Sequence, residues 1–139
     1  MYMAYVLGIL VGPLSGQLSN RIGNGATMVI GAIVFALSLA ATHILSLWAV
    51  VFGLSGVCVG FFSIHSAAAG SLNQKLKTSR GRANSLYVLF YYLGGSAGIT
   101  FSGYSYELFG WPGVTGVGML LLAVILAAGV VEIRAGWKV

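Results

Sequence analysis

The chain predicts an all-α integral membrane protein with five membrane-crossing helices. Three observations carry that reading: charge is almost absent, long apolar runs fill most of the length, and every Lys and Arg falls in alternate loops. Of 139 residues, 58% are hydrophobic and 6% are charged. A soluble domain carries roughly 25% charged residues, so this chain lacks the polar surface that water requires. The apolar stretches are continuous rather than short and alternating, which argues against a transmembrane barrel. In lipid every backbone group must bond internally, and for runs this long the helix is the arrangement that does so.

A helix needs about 20 mostly apolar residues to cross the bilayer core. The runs cover about 2–19, 25–42, 45–70, 83–105 and 112–131, in a single transmembrane domain. The first starts with no basic leader and no cleavage site, so it reads as a span and not as a secretory signal. The third is long enough to tilt or to project past the lipid. Pro112 suits the first turn of the fifth, where a missing N–H is no loss. The single Cys58 lies in an apolar run, so no intrachain disulfide can form.

The loops orient the helices. Arg21 lies between the first and second spans, and only His43 between the second and third. Lys75, Lys77, Arg80 and Arg82 lie between the third and fourth, Glu107 between the fourth and fifth, and Arg134 and Lys138 after the fifth. All cations thus share one side, which the positive-inside rule makes cytoplasmic. The expected protein is multi-pass in the cell inner (plasma) membrane, with its N-terminus outside and its C-terminus cytoplasmic. Trp48, Tyr106 and Trp111 then sit at the outer boundary and Trp137 at the inner one, as interfacial rings tend to. The net charge of +5 reads as orientation, and no nucleic-acid partner is expected. The run from Lys75 to Arg82 also has the composition to attract anionic lipid, each cation adding on the order of 1 kcal/mol.

The turn between the first two spans carries a motif. Gly16-x-Leu18-x-Asn20-Arg21-x-Gly23 resembles the loop signature of the major facilitator superfamily of transporters, written G-x-L-x-D-R-x-G-R-R. Asn20 replaces the usual Asp, and Asn24 and Gly25 replace basic residues, a degenerate form commoner in the second copy of that loop. Leu86 to Gly98, followed by Tyr106, Gly110-Trp111 and Gly113-Val114, resembles the eleventh helix and the turn into the twelfth in bacterial efflux-type members. These include arabinose-efflux-permease-like and drug–proton antiporter branches. Phe61 to Ser66 resembles the tenth helix. The resemblance implies helices eight to twelve of such a permease: a C-terminal half without its first helix. It also implies that the N-terminal transporter half is missing, so that the chain is a piece or a truncated product of a longer protein.

Helix faces suggest what packs and what lines a path. Gly8, Gly12 and Gly16 recur at steps of four in the first span; Gly53, Gly56, Gly60, Ser63, Ala67 and Gly70 recur at steps of three and four in the third. In lipid, such small-residue stripes let helix backbones approach closely, and packing is the expected role. They are not phosphate loops, having no adjoining Lys-Ser or Lys-Thr and no preceding strand. In the fourth span Asn84, Tyr87, Tyr91, Gly94, Gly98 and Ser102 share a face. That face is either a packed one with satisfied hydroxyls or a cavity wall. The resemblance implies the second, with Tyr87 and Tyr91 against substrate and Gly94, Gly95 and Gly98 letting the helix bend or slide during alternating access.

His65 is the one His well inside a span. It either bonds a neighbouring helix or titrates near neutrality. Glu107 and Glu132 sit at boundaries and are expected to be solvated. No His/Cys/carboxylate group has metal-ligand spacing, and no acid orients His65 beside Ser63 or Ser66. No catalytic residue, metal or cofactor is therefore expected, and the chain does not read as an enzyme. The expected partners are the lipid bilayer and a small-molecule substrate. The rival reading is a non-transporting membrane assembly subunit or a dimerising half-transporter.

Overall fold

The computed structural model describes residues 3–76 and 78–136, with side-chain surroundings from residue 11 onward. Tyr2, Lys77, Trp137, Lys138 and the surroundings of Gly8, all used in the sequence reading, lie outside the described residues. All regular structure among the described residues is helical. The elements are α1 (Met3–Ile22), α2 (Asn24–Ala41) and α3 (Leu47–Lys75), then a helical stretch Arg80–Gly136 that breaks at Gly110. The two parts of that stretch are α4 (80–109) and α5 (111–136). Asn24–Ala41, Leu47–Lys75 and Arg80–Gly136 are long and apolar enough to cross a membrane. The protein has an all-helical membrane fold.

Two glycines make the sharp turns. Gly23 alone separates α1 from α2, with φ 89° and ψ 156°, a conformation that a side chain disfavours. Its N–H donates to the Ser19 carbonyl, and its carbonyl accepts from the Thr27 N–H and hydroxyl. Gly110 has φ 64° and ψ −153°. There the chain folds so tightly that a Cβ on Gly113 would strike the Ser105 carbonyl.

The core is α2 clasped between α3 and α5 through glycine pairs. A Cβ on Gly60 would lie 2.6 Å from the Gly31 carbonyl, and one on Gly31 would lie 3.0 Å from the Gly60 carbonyl. On the other side, a Cβ on Gly25 would lie 2.9 Å from the Gly129 carbonyl, and one on Gly129 would lie 3.3 Å from the Gly25 carbonyl. Gly56 meets the Ser38 side chain, a Cβ on Gly53 would lie 2.9 Å from the Ser38 carbonyl, and Gly118 seats Leu39. With backbones this close, dispersion between the helices is strong without any need for large side chains. Ala32, Thr27, Ala67 and Leu122 fill the space between and are nearly inaccessible.

Polar pairs close the two ends of this block. At the end where the cations gather, Asn24 of α2 donates to Gln74 of α3 at 2.7 Å and accepts from Ser19 of α1. There too Glu132 of α5 accepts from Ser71 of α3 at 2.5 Å and pairs with Lys75. At the opposite end the Trp111 indole N–H donates to the Thr42 hydroxyl at 3.0 Å, and His43 Nε2 lies 2.9 Å from the Thr115 hydroxyl. Thr42 and Thr115 pass their own protons to the Leu39 and Pro112 carbonyls. The Thr115 oxygen therefore accepts from His43, as Thr42 accepts from Trp111.

Two expectations are corrected here. Glu132 is not simply solvated, because the ends of α3 and α5 bring Ser71 and Lys75 to it. Gly12 and Gly16 form no close packing stripe: nothing lies within 4 Å of a Cβ at either position. α1 instead buries Ser15 and Ser19, and joins α3 where Ser15 meets Ser63 at 3.0 Å and Ser66 reaches the Gly12 carbonyl at 3.5 Å. Gly94, Gly95 and Gly98 of α4, expected to let that helix bend or slide, have no atom within 4 Å of an added Cβ.

Candidate substrate path

α4 lies apart from the block and touches α3 along one strip, where the sequence-predicted residues meet. Counting toward the Gly110 turn, Asn84 comes first and donates to Asn73 of α3 at 3.3 Å. One turn on, the Tyr87 hydroxyl lies 2.9 Å from His65 Nδ1 and 3.4 Å from the His65 carbonyl oxygen. A further turn brings the Tyr91 ring to 5.0 Å from the His65 ring and 6.4 Å from Phe61, measured between centroids. Phe61, one turn before His65 on α3, stacks on the imidazole at 6.0 Å with an interplanar angle of 12°. The i, i+3, i+4 spacing of Tyr87 and Tyr91 on α4, and of Phe61 and His65 on α3, puts both pairs on facing strips.

Beyond Tyr91 the two helices leave a groove of about 710 Å³, lined by Phe61, Phe90, Tyr91, Tyr92, Gly94, Gly95, Ser96 and Ile99. No charged side chain lines it. Gly94 and Gly95 keep its floor low, and Tyr91 and Tyr92 meet edge to face at 5.5 Å between centroids. A space of this size, apolar with a few hydroxyls, is of the kind that holds small molecules. Of the four predicted path residues, Tyr87, Tyr91 and His65 come together, while Asn84 is set one turn away. Sequence reasoning missed Phe61, Phe90 and Tyr92 as groove residues. Their aromatic character was visible, but which of them line the groove was not.

A second cavity, about 310 Å³, opens at the cationic end among Asn24, Gly25, Gln74 and Glu132. The Lys75 ammonium, and then the Ser71 hydroxyl, hold the Glu132 carboxyl below the usual carboxylate range by hydrogen bonding. Among the described residues no group of three or more His, Cys, Asp or Glu is placed to hold a metal ion.

The sequence model of the Major Facilitator Superfamily matches residues 1–136, and the chain belongs to that superfamily. It is 34% identical over 127 residues to the inner membrane transport protein YnfM of Escherichia coli, covering 91% of this chain and 30% of that protein. It is 30% identical over 125 residues to an uncharacterized transporter of Buchnera aphidicola from Schizaphis graminum, covering 88% of this chain and 30% of that protein. It is 27% identical over 126 residues to the uncharacterized MFS-type transporter YybF of Bacillus subtilis, covering 91% and 31%. The chain thus spans about a third of the length of these relatives. No solved structure matches it at a significant level. The family is one of membrane transporters, not of enzymes.

Proposed function

We propose that this chain supplies one wall of the path of a small-molecule exporter that works by alternating access, in company with an N-terminal transporter half that it does not itself contain. The observation that carries the reading is the uncharged aromatic groove between α3 and α4, with the Tyr87–His65 pair next to the Phe61 and Tyr91 rings that line it. In alternating access the site lies between two repeats near the membrane midplane, so each half contributes one wall. The substrate is an amphipathic or sugar-like molecule, suited to ring faces and hydroxyls in the absence of charge. Asn84 borders the cytoplasmic mouth. The glycines at 94, 95 and 98 leave α4 free to bend or slide as the wall moves.

Transport into or out of vesicles containing the full-length parent tests this. Tyr91→Ala is expected to lower transport by about tenfold or more, a loss of at least one ring contact in the path, whereas Tyr104→Ala, exposed beyond the groove, leaves it within about twofold. Equal effects of the two changes would remove the proposed wall. The 139-residue chain alone is expected not to transport; robust transport by it would point to a dimerising half-transporter. In the inner membrane the cationic end faces the cytoplasm. A reporter fused after Lys138 should therefore read cytoplasmic and one inserted beside Glu107 external, and the reverse result overturns the orientation.

A further inference from the structure

We infer that Tyr87 is a positioning residue for His65, holding the ring with its proton on Nδ1 so that Nε2 is presented as a hydrogen-bond acceptor to the substrate. The inference starts from the two contacts of one hydroxyl. Tyr87 Oη lies 2.9 Å from His65 Nδ1 and 3.4 Å from the carbonyl oxygen of the same residue. A carbonyl only accepts, and a tyrosine hydroxyl has one proton. If Nδ1 were the bare nitrogen, Nδ1 and the carbonyl would compete for that proton. With the proton on Nδ1, both contacts are satisfied at once: Nδ1–H donates to Oη, and Oη–H donates to the carbonyl.

The other ring nitrogen is then an acceptor, and it is open. No hydrogen bond from any described residue reaches His65 Nε2. Every buried side-chain nitrogen or oxygen in the described structure has a partner, so an unpartnered Nε2 is an accessible atom. Aromatic rings flank the imidazole: Phe61 is stacked on it, and Tyr91 lies at 5.0 Å between centroids. Phe61 and Tyr91 are also the residues at which the groove begins. α1 and α2 face this stretch of α3 with neutral groups, as in Ser15 against Ser63 and the Gly12 carbonyl against Ser66. The groove itself carries the hydroxyls of Tyr91, Tyr92 and Ser96, and the open nitrogen belongs to the ring that stands against its Phe61–Tyr91 edge.

That chemistry selects a class of substrate: a flat or ring-shaped apolar body carrying a hydroxyl or N–H donor. A bare acceptor between rings favours a molecule that donates to it over an otherwise identical one that cannot, because the second leaves a desolvated polar atom unpaired. The substrate class rests on the transporter reading, but the tautomer does not, so the two fail separately.

The test uses the full chain in lipid vesicles with ring-¹⁵N histidine, His65 being assigned by loss of its signals in His65→Gln. At alkaline pH the protonated nitrogen of His65 is expected to be Nδ1. Tyr87→Phe should move the majority of the ring to the Nε2–H form, while Tyr91→Phe should not. Benzyl alcohol should then shift the Nε2 signal of the unaltered chain, and benzyl methyl ether, which has no donor, should not. An Nε2–H ring in the unaltered chain, or a tautomer indifferent to Tyr87→Phe, overturns the positioning role. Equal responses to the alcohol and the ether overturn the donor class. An Nδ1–H ring together with a full-length parent that moves no small molecule would leave the positioning intact and sink the transporter reading instead.

Discussion

The two sides of α2 that carry Gly25 and Gly31 and the face of α4 that carries Gly94, Gly95 and Gly98 are alike in residue type, yet only the glycines of α2 meet another backbone. On α2 each glycine stands opposite a glycine of a neighbouring helix, Gly31 against Gly60 and Gly25 against Gly129, with would-be Cβ contacts of 3.3 Å or less. On α4 nothing lies within 4 Å. Small residues at helical spacing therefore state that close approach is permitted; they do not state that it happens. What decides is whether the connections bring a second helix there. Backbone contacts at the glycine pairs, with the Lys75–Glu132 and Trp111–Thr42 contacts at the two ends, hold α2, α3 and α5 together, whereas α4 lies outside that block.

The comparison breaks most sharply at Gly60. Gly60→Leu forces a side chain into the Gly31 carbonyl and Phe35, and overpacking of this kind costs about 1–3 kcal/mol, occasionally more. Thermal unfolding in detergent should fall accordingly, while Leu121→Ala, at a site 54% exposed, should change it little. If the two variants melt together, the α2–α3 contact is not what holds the block.

A smaller effect is expected at the ion pair that ties α3 to α5. The Glu132 carboxyl is held below its ordinary value by Lys75 and Ser71. A group depressed in the folded state contributes stability that is complete above its unfolded value, about pH 4.3, and that is lost as pH falls through the folded value. Lys75 is 59% exposed, so solvent screens the pair and its contribution is about 1 kcal/mol or less. Melting curves from pH 6 down to pH 3 should show a loss in the unaltered chain that Glu132→Gln removes. An acid limb of unchanged depth in that variant would assign the loss to other groups.

The smallest effect sharpens the contrast from the open side. Gly95→Ala adds a methyl where nothing stands, and in a helix interior alanine is favoured over glycine by about 1 kcal/mol. The chain should be unchanged or slightly more stable. In the full-length parent the same change should slow transport if the α4 face is the moving wall of the path. A clear loss of stability in the chain alone would mean that the Gly95 face is packed after all.

How much of this was legible without coordinates differs by residue. The membrane helical class followed from the scarcity of charge, because solvation energy depends on composition and needs no partner. Gly23 was readable as a turn, since a positive φ is a property of one residue and its neighbours. His65, Tyr87 and Tyr91 could be singled out, polarity at membrane depth being a local fact, and Gly56 and Gly60 could be marked as able to pack. Pairing was not legible. Nothing in the sequence told Gly25 that its opposite is Gly129, placed Lys75 and Ser71 beside Glu132, or set the Trp111 indole on Thr42. Nor did spacing distinguish the glycines of α1 and α4, which meet open space, from those of α3, which meet a backbone. Those outcomes depend on where whole helices lie relative to one another, and that is fixed jointly by turns and by contacts far apart in the chain. The sequence by itself determined the solvent, the helices and the residues able to do polar work within them; the tertiary structure alone decided which of those residues face each other, because interatomic distance across helices is not a property of either helix.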